Sequence, residues 1–358
     1  MVIPLTLGEL AASYQKAAAL SKRHTSQDHF SAHYEKTPSW AIGPFQRDTS
    51  LTFKPGKQWP DPTGIGWTAS AIFNPSLIEH QGQLVVFYRA SPSMESIASR
   101  IGMAVYDPVA GWTDCPGNPL IYPTRDDELY GCEDPKIYRA NGQYFLFYNA
   151  PFPIDSADAS RFPSPGFQLE DVGCDISLAV SADLLTWTKL GPVVPHEVSR
   201  LWCKGAVIPR DPNGNAVRIG GEFLMYLSEG CNGTQQIGRS GDLIHWRFEE
   251  CAYLDLSPLE GTLHEIACAA AAFDGQGHIV LDLFYDDGSD KKAAAQALYH
   301  QDNPFTQIAL NKGGTLSWGG LLRHNATWLF AQGWDAPSRT RELSFYRSRP
   351  FQTSPMRL

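Results

Sequence analysis

GCEDPKIYRANGQYFLFYNA, residues 131–150, decides the fold. The acidic pair Glu133-Asp134 stands just before Pro135 and a short apolar run, followed by Asn141-Gly142 and an alternating aromatic run. Asn-Gly between two strand-like runs is the strongest short-range signal for a β-hairpin. The acidic pair therefore sits at the mouth of a hairpin.

Working outward, the same unit recurs: a polar residue, an apolar run, a Gly turn, an aromatic strand, a third strand and a turn before Trp. One copy precedes it, opening at Phe73-Asn74-Pro75-Ser76, turning at His80-Gln81-Gly82, and running through residues 84–88 to Arg89, then through 101–105 to Trp112. The copy opened by Glu133-Asp134 continues through 176–180 to Trp187. The next begins at Lys204-Gly205, turns at Gly220-Gly221 and ends at Trp246. Residues 181–187, SADLLTW, match residues 240–246, SGDLIHW, at nearly every position. Two weaker copies open at His264-Glu265 and Gly319-Gly320. A period of roughly 60 residues with four strands per copy is that of a propeller blade. The expected fold is all-β, a five-bladed β-propeller with an N-terminal helical extension. Residues 61–358 form the catalytic propeller domain, and residues 1–60 form the helical extension and a ring-closing segment. Residues 40–53 are placed to supply a strand to the last blade, because an unpaired outer strand is an open edge. Within residues 1–35, Leu5, Leu7, Leu10, Ala11, Tyr14, Ala17 and Ala18 recur near helical period. That helix is expected outside the ring, as a brace or as a contact in a homo-oligomer.

Composition narrows the function classes. The net charge of −9 argues against a nucleic-acid surface, and no basic run offers itself to a membrane. The N-terminus lacks the charged region and unbroken apolar run of a signal peptide. Seven cysteines without paired spacing argue against a disulfide framework and against zinc, and fit free thiols in a reducing cytoplasm. Asp286-Asp287 and Asp302 lack the spacing of a calcium loop, so neither metal nor cofactor is expected.

The innermost strand of each blade lines the central channel. Asn74, Glu133-Asp134, Lys204 and His264-Glu265 thus face one cavity. A second ring, at the ends of the next strands, holds Arg89, Asn149, Glu229 and Asp286, with Arg100 in a third strand. Charges gathered in a partly desolvated funnel are unfavourable unless paired, so their convergence marks a functional site, with structural ion pairs as the alternative. The chemistry these groups suit is glycoside cleavage, in which one carboxylic acid protonates the leaving oxygen and another carboxylate activates water. Lys204, Lys136 and Arg89 are placed to keep the base ionised and hold sugar hydroxyls. Trp202, Trp318 and Trp334 are candidates for stacking on a sugar face.

The segments FNPSLIEHQGQLVVFYRA, SRIGMAV, GCEDPKI, SADLLTW and LWCKGAVIPR resemble glycoside hydrolase family 130, the five-bladed β-mannoside phosphorylases and β-mannosidases. The resemblance runs from about residue 70 to 246 and is faint beyond residue 261. It implies an oligosaccharide substrate, Asp134 as general acid, and Arg89 and Lys204 as contacts to phosphate or sugar. Two positions depart from the family pattern: Lys136 stands for arginine and Gly205 for aspartate. Glu229 falls where a phosphorylase would carry a basic residue, and Glu265 opens the fourth blade. Two anions there would repel phosphate. The expectation is an inverting, exo-acting hydrolase of a β-mannoside or related oligosaccharide, with Glu229 or Glu265 activating water. The alternatives are a β-mannoside phosphorylase and a sugar-binding propeller without catalysis.

Overall fold

The computed structural model describes residues 6–19, 30–31, 38–54, 64, 66–93, 96–162, 171–227, 229–288, 292–315, 318–334 and 342–348. Five sheets form the five blades of a propeller, antiparallel throughout except that Phe30–Ser31 pairs in parallel with Lys292–His300. Blade one comprises Ala71–His80, Gln83–Ser91, Arg100–Asp107 and Gly111–Asp114. Blade two comprises Glu133–Ala140, Gln143–Pro153, Val172–Ser181 and Thr188–Pro192. Blade four runs Thr262–Ala271, His278–Asp286, Lys292–His300 and Ala309–Lys312. Blade five runs Gly319–His324, Thr327–Gln332 and Ser344–Ser348, and its fourth strand is Phe45–Arg47 from near the chain's start, antiparallel to Ser344–Ser348.

Blade three is irregular. Its inner edge is split between Cys203–Lys204, which pairs with Glu229–Gly230, and Arg218–Ile219, which pairs with the Glu222–Leu227 strand. The sequence reads as one strand over 204–208, but the left-handed backbone of Gly205 (φ 72°) breaks it, and Pro209 and Pro212 lack the N–H that a ladder needs. Its outer strands, Gln236–Ser240 and Trp246–Glu250, are regular.

The core lies between blades, and period-two alternation puts it there. In the Gln143–Pro153 strand, Tyr144, Leu146 and Tyr148 pack against Val85, Phe87 and Met103 of blade one. The alternate residues Phe145 and Phe147 pack against Phe223 and Met225 of blade three. Corresponding clusters fill the other three seams, among them Leu329 and Phe345 of blade five against Val86 and Tyr88 of blade one. The repeat extends to single atoms. Ser181 Oγ accepts from the N–H of Leu184, Asp183 accepts from Leu185 and Thr186, and the Trp187 indole donates to the Leu184 carbonyl. Ser240, Asp242 and Trp246 make the same bonds one blade later.

A helix, Leu7–Ala19, is the first element. Ala17 is buried against Ile97, Ala98, Tyr130 and Val172. Residues 20–29, which the periodicity places in the helical extension, lie outside the described residues; of residues 151–173, which the sequence suggests as a loop overhanging the cavity, 163–170 lie outside them, and the rest holds the end of one strand, the helix Ser156–Arg161 and the start of the next strand. Among the described residues no helix is long and apolar enough to cross a membrane.

Candidate active site

Asn74 and Asp134 occupy matching positions. Both have left-handed backbone, φ 46° and 48°, both precede a proline, and each marks a bulge where the inner strand gains one residue on its partner. Asn and Asp are the non-glycine residues that tolerate this region best, and bulges re-aim side chains. The result is direct contact between the two blades: Asn74 Nδ2 donates to Asp134 Oδ1 at 2.7 Å.

A cation–carboxylate lattice is built on that contact. Glu133 is fully buried, and accepts from Arg89 on Oε1 and from Lys204 on Oε2, each at 2.7 Å. Asp134 accepts from Arg89 at 2.9 Å on Oδ1 and from Asn149 Nδ2 at 2.9 Å on Oδ2, with Lys204 3.8 Å away. Arg89 is held from behind by Ser99 Oγ at 2.7 Å and lies over the Phe73 ring. Lys204 lies over the Trp202 ring. Burial works against the Lys204 ammonium, yet the adjoining Glu133, aided by Asp134 and Glu229, holds its pKa well above the ordinary lysine value. Removing one partner of such a lattice strands a buried charge, which is far worse than never having built the pair.

Across the channel the balance is opposite. Glu229 pairs in register with Lys204, and its strand lies against the inner strand of blade four, where Glu265 is 5% exposed. Burial, then the Glu229 and Asp134 charges, push the Glu265 carboxyl up to about 8, against the pull of Lys136 and Lys204. Glu265 therefore keeps its proton near neutrality. Gly205 makes this placement fit: a Cβ there would stand 3.2 Å from Glu265 Oε1, on a backbone that already disfavours side chains. The Trp318 indole N–H donates to Glu265 Oε2, and His264 meets the Trp318 ring edge-on at 5.5 Å.

Other sequence candidates sit differently. Lys136 donates to the Ala267 carbonyl, in a narrow cavity also lined by Arg210, Ser76, Cys268 and Gly320. Asp286 is opposite Thr262 in the ladder, at the exposed rim, 3.9 Å from His264. In pairing, Tyr285 opposite Leu263 corresponds to Arg89 opposite Phe73 and Asn149 opposite Glu133. The apparent equivalence of Asp286 fails because blade four has its bulge one residue away from where the motif suggests. Arg100 is buried and donates to the Ser99 carbonyl behind Arg89. Trp334 is 7% exposed and gives its indole N–H to Asn74 Oδ1 at 2.7 Å, so little of its face is open to a sugar.

Several contributors escape sequence reading. The Ser96 carbonyl and Ser99 Oγ, just ahead of the Arg100–Asp107 strand, accept from Arg89. Asp282, buried in the second strand of blade four, accepts from Thr315 and from Gln296, and burial pushes it up to about 6 against those donors. Gln296 in turn clamps both the N–H and the carbonyl of Ile42. Among the described residues no group of three or more His, Cys, Asp or Glu is arranged to hold a metal ion.

A family model described as β-1,4-mannooligosaccharide phosphorylase, of glycoside hydrolase family 130, matches residues 57–158. No curated protein matches significantly. Among solved structures, a glycosyl hydrolase from Bacteroides ovatus is 20% identical, with a TM-score of 0.64, covering 90% of this chain and 97% of that one. A second structure comes from a study of family 130 glycoside hydrolases that target β-1,2 mannosidic linkages in Candida mannan. It is 19% identical with a TM-score of 0.63 over 88% of this chain and 99% of that one. The β-1,2-mannobiose phosphorylase of Listeria innocua is 14% identical with a TM-score of 0.61 over 85% and 96%. At these identities the structures speak for the propeller fold, and the sequence match covers the first blade and the first two strands of the second. The family includes both mannoside phosphorylases and β-1,2-mannosidic hydrolases. Match and fold together bear out the resemblance: residues 57–158 are similar to glycoside hydrolase family 130, whose members are glycoside hydrolases and phosphorylases acting on mannosides, and the whole chain shares the five-bladed propeller fold of the solved structures.

Proposed function

We propose that the chain hydrolyses a β-mannoside or related oligosaccharide, inverting the anomeric centre and acting from the chain end. Asp134 supplies the proton to the leaving oxygen, directly or through a sugar hydroxyl. Glu229 and Glu265 handle the attacking water. Near neutrality Glu265 holds its own proton, so Glu229 is the group that first takes the water's proton, while Glu265 hydrogen-bonds the water or the sugar. Asn74, Arg89, Glu133, Asn149 and Lys204 orient Asp134 and the sugar ring, with His264 at the rim.

The observation that carries hydrolysis over phosphorolysis is the crowding of Glu229 and Glu265 against the Lys204 side of the channel. A phosphate dianion entering there would meet the Glu229 charge beside a protonated Glu265, and two nearby cations, Arg89 and Lys204, are already bonded to Glu133. Like charges in a low-dielectric pocket repel strongly.

The test is product formation from a panel of β-mannobiosides and mannosyl-glucose, with and without inorganic phosphate, following the first-formed anomer by proton NMR. Free mannose of inverted configuration, independent of phosphate, is expected. Mannose 1-phosphate formed only with phosphate would overturn hydrolysis. Saturable binding without turnover would favour a sugar-binding propeller.

A further inference from the structure

We propose that Trp334 and Trp318, brought in by the closing blade, are positioning residues that fix the two ends of the site: the Trp334 indole N–H sets the amide of Asn74 so that it donates to Asp134, and the Trp318 indole N–H seats the Glu265 carboxyl. The inference deepens the hydrolytic reading and rests on it for the roles of Asp134 and Glu265.

An indole N–H can only donate. Trp334 Nε1 therefore meets the oxygen of the Asn74 amide, 2.7 Å away, and the Nδ2 group must face Asp134, where it donates at 2.7 Å. An amide is nearly symmetric in shape, so its orientation is decided by its partners. Without the indole donor the amide is free to turn and present oxygen to a carboxylate, which replaces an attraction by a repulsion.

The closing seam holds Trp334 firmly. Its backbone N–H donates to Gln332 Oε1 at 3.1 Å. At Gly333, just before it, a Cβ would stand 2.3 Å from the Ile72 carbonyl, so the turn lies directly on the inner strand of blade one. The Trp334 ring packs edge-on against Phe73, the residue beneath Arg89, at 5.5 Å. Trp318 touches Trp334 at 5.2 Å between ring centres and Phe284 at 5.7 Å. One aromatic pair thus spans from the Asn74–Asp134 contact to Glu265. Around Glu265 the charged groups that set its titration are Glu229 and Lys204 of blade three and Lys136 and Asp134 of blade two. Trp318 adds an uncharged donor from blade five's approach. Because it bonds the carboxyl directly, its N–H reports that carboxyl's protonation.

The experiment pairs kinetics with proton–nitrogen NMR of indole-labelled full-length protein. Trp334→Phe keeps an aromatic ring and removes the donor. It is expected to lower kcat at least about tenfold, the worth of one hydrogen bond to a charged group, with KM little changed. The limb of the rate–pH profile belonging to the acid should move to higher pH. In the spectra the Trp318 indole signal should titrate with a midpoint near that of Glu265, and lose the titration in Glu265→Gln. The Trp334 signal should shift in Asn74→Ala and stay put in Glu265→Gln. Unchanged kcat and pH profile in Trp334→Phe, or indole signals blind to these neighbours, would overturn the proposal. If no glycoside is turned over, the hydrolytic reading fails on its own, and the two indole signals still decide whether the tryptophans hold these groups.

Discussion

The two acidic pairs of the channel are chemically alike and physically opposed. Glu133 and Asp134 lie within a lattice of Arg89, Lys204, Asn74 and Asn149, where every neighbour donates. Glu229 and Glu265 crowd together, and burial with the Glu229 charge keeps Glu265 protonated at neutral pH. Similar carboxyl groups thus meet opposite surroundings in one channel, donors around one pair and a like charge with burial around the other. The lattice is also structural: blades one, two and three meet in Glu133, whereas blades three, four and five meet at Glu265.

The largest expected effect is on chemistry at the cation-bound pair. Asp134→Asn should lower kcat by about 10²–10⁴-fold, the range for loss of a general acid, while sugar affinity by calorimetry holds. A substrate with a good leaving group, such as an aryl mannoside, should recover much of the loss. Equal losses on both substrates would deny Asp134 the acid role.

Next comes stability. Glu133→Ala leaves Arg89 and Lys204 buried without their shared carboxylate, and should destabilise by about 3–5 kcal/mol in urea unfolding. A change near zero would mean that the lattice is not a structural element.

The crowded pair should behave in the opposite sense. Glu265 has an ordinary value of 4.5, raised in the fold to about 8. Below pH 4.5 both states are protonated and the group is neutral to stability. Between 4.5 and about 8 the unfolded chain releases the proton that the folded protein keeps, so stability falls as pH rises, and levels off above. Each tenfold difference in proton affinity between the two states is worth about 1.4 kcal/mol. Glu265→Gln should therefore match the parent at pH 4.5 and exceed it by a few kcal/mol at about pH 9. A pH-independent difference would break the contrast between the pairs.

The smallest effect tests what gives Glu265 its room. Gly205→Ala places a methyl group 3.2 Å from its carboxyl on left-handed backbone, and should cost about 1–2 kcal/mol with a fall in activity. A neutral substitution would show that Glu265 can sit elsewhere.

The repeat made much of this legible. Asn74, Asp134, Arg89, Asn149 and Lys204 stand at positions that blade register brings together, and locating the hairpins locates them. Asp286 shows where register misleads, because the bulge in blade four displaces the match by one residue. Lys136 reads as a sugar contact, but its ammonium donates to the Ala267 carbonyl of blade four. The tryptophans were legible as aromatic and near the site, while their use as hydrogen-bond donors was not: Trp334 and Asn74 are 260 residues apart and meet only when the ring closes.

By itself the sequence determined the blades, through period-two burial, turn residues and a repeated polar opening, because those are local and each copy states them again. Only the tertiary structure decided which carboxyl carries a proton and which cation is already paired. Proton state depends on burial and on charges arriving from other blades, and no stretch of one blade contains that information.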